Sequence, residues 1–373
     1  MRRLFSVLDN GEMRFFCTLI LVGSGCSLDS VEGPSPDDVA ENDDDFTPQP
    51  VAPLIADVCE QRTWEIQPDT KQLDVSVVAT AAGASVFTVP KAGGAVRGFR
   101  VDHRAELFDR EMATVRDDQS YTSVNASVAA GRVVVASTGE RVTMDIVRDD
   151  LGAQYPLGEF EGSLVTDAPM LTSRTTQFAL VGGPTGLTAS GFVGGDWQSA
   201  QPLQLTKSAI VSMTGATRGS DAFIAWAEAD RTCHYMQMSS GQHSYRDFGC
   251  ADVRMAINPD SVRNHSMLVY EEDGSIYRTD LETDLTLKTR IAVHGSSPRV
   301  VFDGTYYWTS YLDFHGDVVV GFVDDNGTLH SRALEGTRPD HAEAYDLAVF
   351  SGGVWVVGVT DNGFGAQRIC ARQ

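Results

Sequence analysis

Three features of this 373-residue sequence predict its fold. Short strand-like segments bounded by turn residues fill the chain. Apolar strand openers recur every 42 to 48 residues, and the last repeat is one strand short. Together they predict an all-β protein: a seven-bladed β-propeller of four-stranded antiparallel blades, the last blade completed by an N-terminal strand.

Residues 297–336 show the unit most plainly. Strands are predicted over 300–302, 306–312, 318–323 and 329–334, with Asp303-Gly304, His315-Gly316 and Asn326-Gly327 at the breaks. Such dipeptides supply the positive φ that tight hairpins need. Equivalents of the first strand open near Leu73, Tyr121, Ser163, Ala209, Val253, Ser297 and Ala344. Second strands follow at 85–89, 133–136, 178–181, 223–227, 267–271, 306–312 and 354–359. Their apolar residues are crowded, as in strands buried between neighbours, and no helical period appears beyond the N-terminal segment.

The seventh repeat has strands at 344–350, 354–360 and 364–370 and needs a fourth. The unassigned piece 61–67 is expected to supply it, removing an open edge. Trp64 lies near its middle and is expected to pack on blade seven. Outside the N-terminal segment stand Cys59, Cys233, Cys250 and Cys370, an even count that fits an exported chain. Cys59 begins the donated strand and Cys370 ends its antiparallel neighbour, so these two are expected to pair. Cys233 and Cys250 flank a hairpin centred near Gly241-Gln242, which places them opposite each other.

Arg2, Arg3 and Arg14 precede an apolar run over 15–22, followed by small residues up to Cys26. This pattern makes residues 1–26 a secretory signal, too short to span a bilayer as a stable helix. Met13 is an alternative start. The small residues before Cys26 resemble a bacterial lipoprotein signal, with Gly23 where that family prefers Leu. The resemblance implies that Cys26 is the lipid-attachment residue, and Ser27 after it implies the outer membrane or cell surface. Simple secretion, periplasmic or beyond, is the alternative. Residues 27–53 carry eight carboxylates, five prolines and no Lys or Arg. Self-repelling charge with little to bury predicts an acidic disordered tether over 27–58, with the propeller over 59–373.

A net charge of −22 argues against nucleic acid and against a basic membrane patch. The sequence has no G-x-S-x-G, H-E-x-x-H or C-x-x-C motif. His315 beside Asp313 and Asp317, and His341 beside Asp340 and Glu343, could bind a metal or act as acid and base; solvated turns are the plainer reading. The hairpins ending at Gly274, Gly327 and Gly363 could coordinate Ca²⁺, but hairpin geometry accounts for them. Trp226, Trp308 and Trp355 read as inner-strand residues that pack between blades rather than as a sugar platform. No catalytic residue, cofactor or metal site is expected.

The stretch FDGTYYWTSYLD at 302–313 resembles repeats of large bacterial extracellular propellers, in which Phe-Asp-Gly opens the second strand. That resemblance implies a fold and an exported location, not an activity. The expected function is a cell-envelope lipoprotein acting as a non-enzymatic binding or scaffold propeller. It should be a monomer that meets a protein or glycan at a propeller face and touches the membrane only through its lipid. A glycan-acting hydrolase or lyase on the same scaffold is the alternative.

Overall fold

The computed structural model describes residues 55–372, apart from Glu65, 67–70, Arg110, 149–150, 152–153, 174–175, Gly194, 240–241, 260–265, 282–286, Asp325, Gly336, Asp340 and 361–362. Cys26 and most of the expected tether lie outside the described residues.

Seven antiparallel sheets follow one another. Blade one is β2 (Gln72–Thr80), β3 (Gly83–Pro90), β4 (Gly94–Asp102) and β5 (Ala113–Tyr121), with β1 (Ile55–Thr63) preceding it in the chain. Blade two is β6 (Ser123–Ala129), β7 (Arg132–Thr138), β8 (Val142–Val147) and β9 (Gln154–Phe160). Blade three has β10 (Leu164–Val165), β11 (Leu171–Ser173), β12 (Thr176–Gly182), β13 (Gly186–Val193), β14 (Asp196–Trp197) and β15 (Gln201–Leu205). Blade four is β16 (Ile210–Arg218), β17 (Asp221–Glu228), β18 (Thr232–Ser239) and β19 (Gln242–Gly249). Blade five is β20 (Asp252–Ile257), β21 (Ser266–Glu272), β22 (Ser275–Asp280) and β23 (Thr289–Val293). Blade six is β24 (Ser296–Phe302), β25 (Tyr307–Leu312), β26 (Val318–Val323) and β27 (Leu329–Ala333). Blade seven is β28 (Tyr345–Phe350), β29 (Gly353–Thr360), β30 (Gly363–Arg372) and, on its outer edge, β1.

The chain is therefore a seven-bladed propeller closed by its N-terminal strand. The donated strand differs from the one expected. It spans Ile55–Thr63 rather than 61–67, so Cys59 sits within it and Trp64 just past its end. Its first residues, 55–58, fall in the stretch read as tether. That acidic composition continues through Asp57 and Glu60, which pair with Arg332 and Arg368 of the blades it meets.

Blade three is the irregular one. Its inner position, expected as one strand from Ser163, is split into β10 and β11, both paired to β12. Pro169 lies in the gap and has no N–H to give to a ladder.

Among the described residues, apolar clusters fill the space at every junction between sheets, with two at the junction of blades two and three. Trp226 packs with Leu180 and Leu187 of blade three, Trp308 with Leu347 and Ile369 of blade seven, and Trp355 with Val75 and Phe99 of blade one. All three are buried and serve inter-blade packing, on second strands rather than innermost ones. A sheet covered by a neighbour on each face must be apolar on both, which explains the unalternating runs.

The ring closes on Trp64, 3 % exposed, whose indole N–H donates to the Ala105 carbonyl of blade one at 2.9 Å. Its backbone N–H donates to Phe364 of blade seven, and its ring meets Phe99 edge-on at 5.4 Å. The returning chain passes so close to Gly363 (φ +110°) that a Cβ there would lie 2.7 Å from the Ile66 carbonyl oxygen. Disulfides join Cys59 to Cys370 and Cys233 to Cys250, with Cα separations of 6.0 and 5.4 Å.

Candidate functional site at the channel mouth

The innermost strands line an axial channel. Asp74 receives the Val124 N–H at 2.8 Å, and Ser76 receives the Ala126 N–H at 3.0 Å. Both contacts span the same number of residues, so β2 and β6 run in the same direction. The residues that open the innermost strands consequently gather at one end of the channel. There they enclose a cavity of about 580 Å³.

Each innermost strand is an edge of its own sheet, and its outward N–H groups need acceptors. The neighbouring blade supplies them from side chains. Asp346 of blade seven accepts the Val77 N–H of blade one at 2.7 Å. Asp74 of blade one serves blade two, as above. Asp167 of blade three accepts from the Thr214 hydroxyl at 2.9 Å and the Gly215 N–H at 3.2 Å in blade four. Ser212 of blade four accepts the Val253 N–H of blade five at 3.2 Å. Between blades seven and one a backbone contact is added, the Val75 N–H donating to Glu343 at 3.0 Å.

Two arginines share this mouth. Arg254 donates to Asp252 at 2.6 Å and to the Ser212 hydroxyl at 2.7 Å, and reaches Glu343 at 3.5 Å. Arg299 pairs with Glu343 and lies 5.3 Å over the Tyr345 ring. Asp252 and Glu343 thus neutralise both guanidiniums. Asp74, Asp167, Glu271 and Asp346 also line the cavity and have no ion pair among the described residues.

Their titration follows from that imbalance. Burial, then repulsion from Glu343, pushes Asp74 up to about 7, against the Val124 N–H and Arg299. Burial pushes Asp346 up to about 6, with Arg299 and two backbone N–H groups opposing. Burial also raises Asp167 and Glu271. Burial works against the Glu343 charge too, but Arg299 and Arg254 outweigh it and hold that carboxyl below its usual range.

No protein-family model matches this chain, and no curated protein matches it. Among solved structures it is similar to the WD40 domain of Toxoplasma gondii coronin, at 12 % sequence identity and a TM-score of 0.57. The match covers 85 % of this chain and 86 % of that one. The likeness is one of fold.

The groupings singled out from the sequence do not build a site. Asp313 accepts the backbone N–H groups of His315 and Asp317 at 2.8 and 3.0 Å, shaping its own turn. His341 contacts the Glu343 N–H at 3.4 Å, while the Glu343 carboxylate turns to the arginines. Asp273 and Gly274, at φ +50° and +70°, make a tight hairpin, and Asp324 accepts the N–H groups of Asn326 and Thr328. Among the described residues no group of three or more His, Cys, Asp or Glu is arranged to hold a metal ion.

Of the charged residues of the mouth, only Glu343 was singled out from the sequence, and there beside His341 rather than with the arginines. A signal was present: Asp74, Asp252 and Asp346 each sit within the first three residues of an innermost strand, and Asp167 follows the short β10 by two residues. Superimposing the repeats in phase, rather than scanning for motifs, would have found them.

Proposed function

We propose that the protein is a cell-envelope lipoprotein, anchored through Cys26, whose propeller is a non-enzymatic binding module that engages a partner at the channel mouth. The observation that carries the reading is the mouth itself. Its side chains are held by hydrogen bonds between blades, so a polar cup of about 580 Å³ is preformed and little ordering is left for a ligand to cause. The WD40-type fold supports an interaction role, and two disulfides favour an oxidising compartment. The test has two arms. Cys26→Ala should move the protein out of the membrane fraction and stop palmitate incorporation. A photo-crosslinker at Ser123 on the mouth should capture a partner that one at Arg132, the first residue of β7 beyond the far end of β6, does not. Equal capture at both positions would defeat the mouth as the binding face.

One observation favours a second reading, a glycan-acting enzyme. Asp74 and Asp346 share a cavity with carboxyls at about 7 and 6, the range in which a carboxylic acid donates protons near neutrality. Glycan turnover lost in Asp74→Asn with binding retained would establish it.

A further inference from the structure

The two disulfides stand in different surroundings. Cys233 and Cys250 are 0 % and 2 % exposed and belong to the apolar cluster between blades four and five. Cys59 and Cys370 are only half-buried, on the two outermost strands of blade seven. Among the described residues β1 is bonded to β30 on one side and to no strand on the other. The ladder is also broken at Cys59. Its register passes from Val58–Ile369 to Glu60–Arg368, so Cys59 occupies a bulge with no residue opposite. Positive charge gathers around the bond. Asp57 and Glu60 meet Arg332, Arg372, Arg368 and Arg62, four guanidiniums to two carboxylates. Arg368 and Arg372 lie two residues to either side of Cys370, on the same face of β30.

We propose that Cys59–Cys370 is a site of thiol–disulfide exchange, opened by a partner dithiol in preference to Cys233–Cys250, and that the exchange turns the covalent closure of the ring into a reversible one. Exchange requires a thiolate to reach a sulfur. The bulged edge position of Cys59 gives that access, and the packing around Cys233 and Cys250 denies it. A thiolate of the dithiol attacks Sγ of Cys59, the bond to Cys370 breaks, and Cys370 leaves as a thiolate. The guanidiniums beside it stabilise that leaving group. The second thiol of the dithiol, as thiolate, then attacks the mixed disulfide, frees Cys59 and leaves the partner as a disulfide. The chain gains two electrons and, once both thiolates are protonated, two protons. A dithiol suits the step better than a monothiol because it resolves the mixed disulfide itself. What then holds the seam is the β1–β30 ladder, the ion pairs and the buried Trp64 just past the end of β1. Exposed ion pairs contribute little, so the first residues of β1 open and close while Trp64 keeps the two blades joined. The proposal is independent of what the channel mouth binds.

The test uses the full wild-type chain in detergent, with dithiothreitol as the dithiol. Timed alkylation and a peptide map follow each bond, and hydrogen exchange follows the strands. Without denaturant, Cys59–Cys370 should open about tenfold or more faster than Cys233–Cys250. The chain reduced only at Cys59–Cys370 should keep a cooperative thermal transition at a lower midpoint. Its amide exchange over Ile55–Thr63 should rise, while that of the strands in blades two to six stays as before. Equal rates for the two bonds, or opening of Cys59–Cys370 only under unfolding conditions, would overturn the inference. So would unchanged exchange in β1 after the bond has opened, since the disulfide would then not be what holds that strand closed.

Discussion

The seam between blades seven and one is held in two different ways at its two edges. Towards the rim, β1 completes the sheet, Trp64 fills the junction with Phe99 and Phe364, and a disulfide links residues 311 apart in sequence. Towards the channel, the same two blades are joined by the Asp346 carboxyl accepting from the Val77 N–H and by the Glu343 backbone carbonyl accepting from the Val75 N–H. The rim uses apolar burial and a covalent bond, which stabilise without leaving charge behind. The channel edge adds a side-chain carboxyl, that of Asp346, which satisfies an N–H group at the cost of burying a titratable acid. The first arrangement buries apolar surface; the second leaves carboxyl groups on the wall of the channel-mouth cavity.

If the rim carries the stability, its loss should have the largest effect. Deleting residues 55–64 should open blade seven and unfold the whole ring, seen as loss of the cooperative thermal transition. Trp64→Ala leaves a large cavity at a two-blade junction and should cost about 3–5 kcal/mol in denaturant unfolding. A local effect confined to blade one would refute the seam as the closure. Replacing Cys59 and Cys370 with Ser should cost about 2–5 kcal/mol. The same change at Cys233 and Cys250 should cost less, because a short hairpin is the loop released.

The channel edge should show itself in pH dependence. Folded-state values of about 7 for Asp74 and about 6 for Asp346 lie above the ordinary 3.8. Their protonated forms are favoured by folding, so this stability is fully present below about pH 4. It is lost as pH rises through 6 and 7, because the folded state binds more protons than the unfolded one. Glu343, held low, acts in the opposite sense at more acidic pH. Denaturant midpoints between pH 5 and 8 should fall with rising pH, and the Asp74→Asn, Asp346→Asn double variant should flatten that fall. A wild-type curve that rises over this range would mean the two carboxylates are paired in solution.

The smallest effect should come from the N-terminal segment. Removing residues 1–50 should leave the midpoint within a few degrees, since residues 27–50 are rich in Asp and Pro and poor in residues able to form a core, and residues 1–26 read as a secretory signal. The cut must stop before Ile55, where β1 begins. A large loss would show that the acidic segment contributes to the ring.

Repetition made most of the architecture legible in the sequence. Apolar runs near Leu73, Tyr121, Ser163, Ala209, Val253, Ser297 and Ala344 each lie at or within a few residues of an innermost strand, because every blade must bury both faces in the same way. Turn dipeptides marked the hairpins, and the cysteine spacing marked both disulfides. The span of β1 was less legible, since Asp57 reads as tether, and Glu60 lies ahead of the expected strand 61–67, until Arg332 and Arg368 are brought beside them. The mouth was decided by tertiary structure alone. Asp74, Asp167, Arg254, Arg299, Glu343 and Asp346 are scattered over 273 residues and belong to no motif. Only closure of the ring turns the openings of its innermost strands towards one axis, and the charge that results belongs to their convergence, not to any one segment.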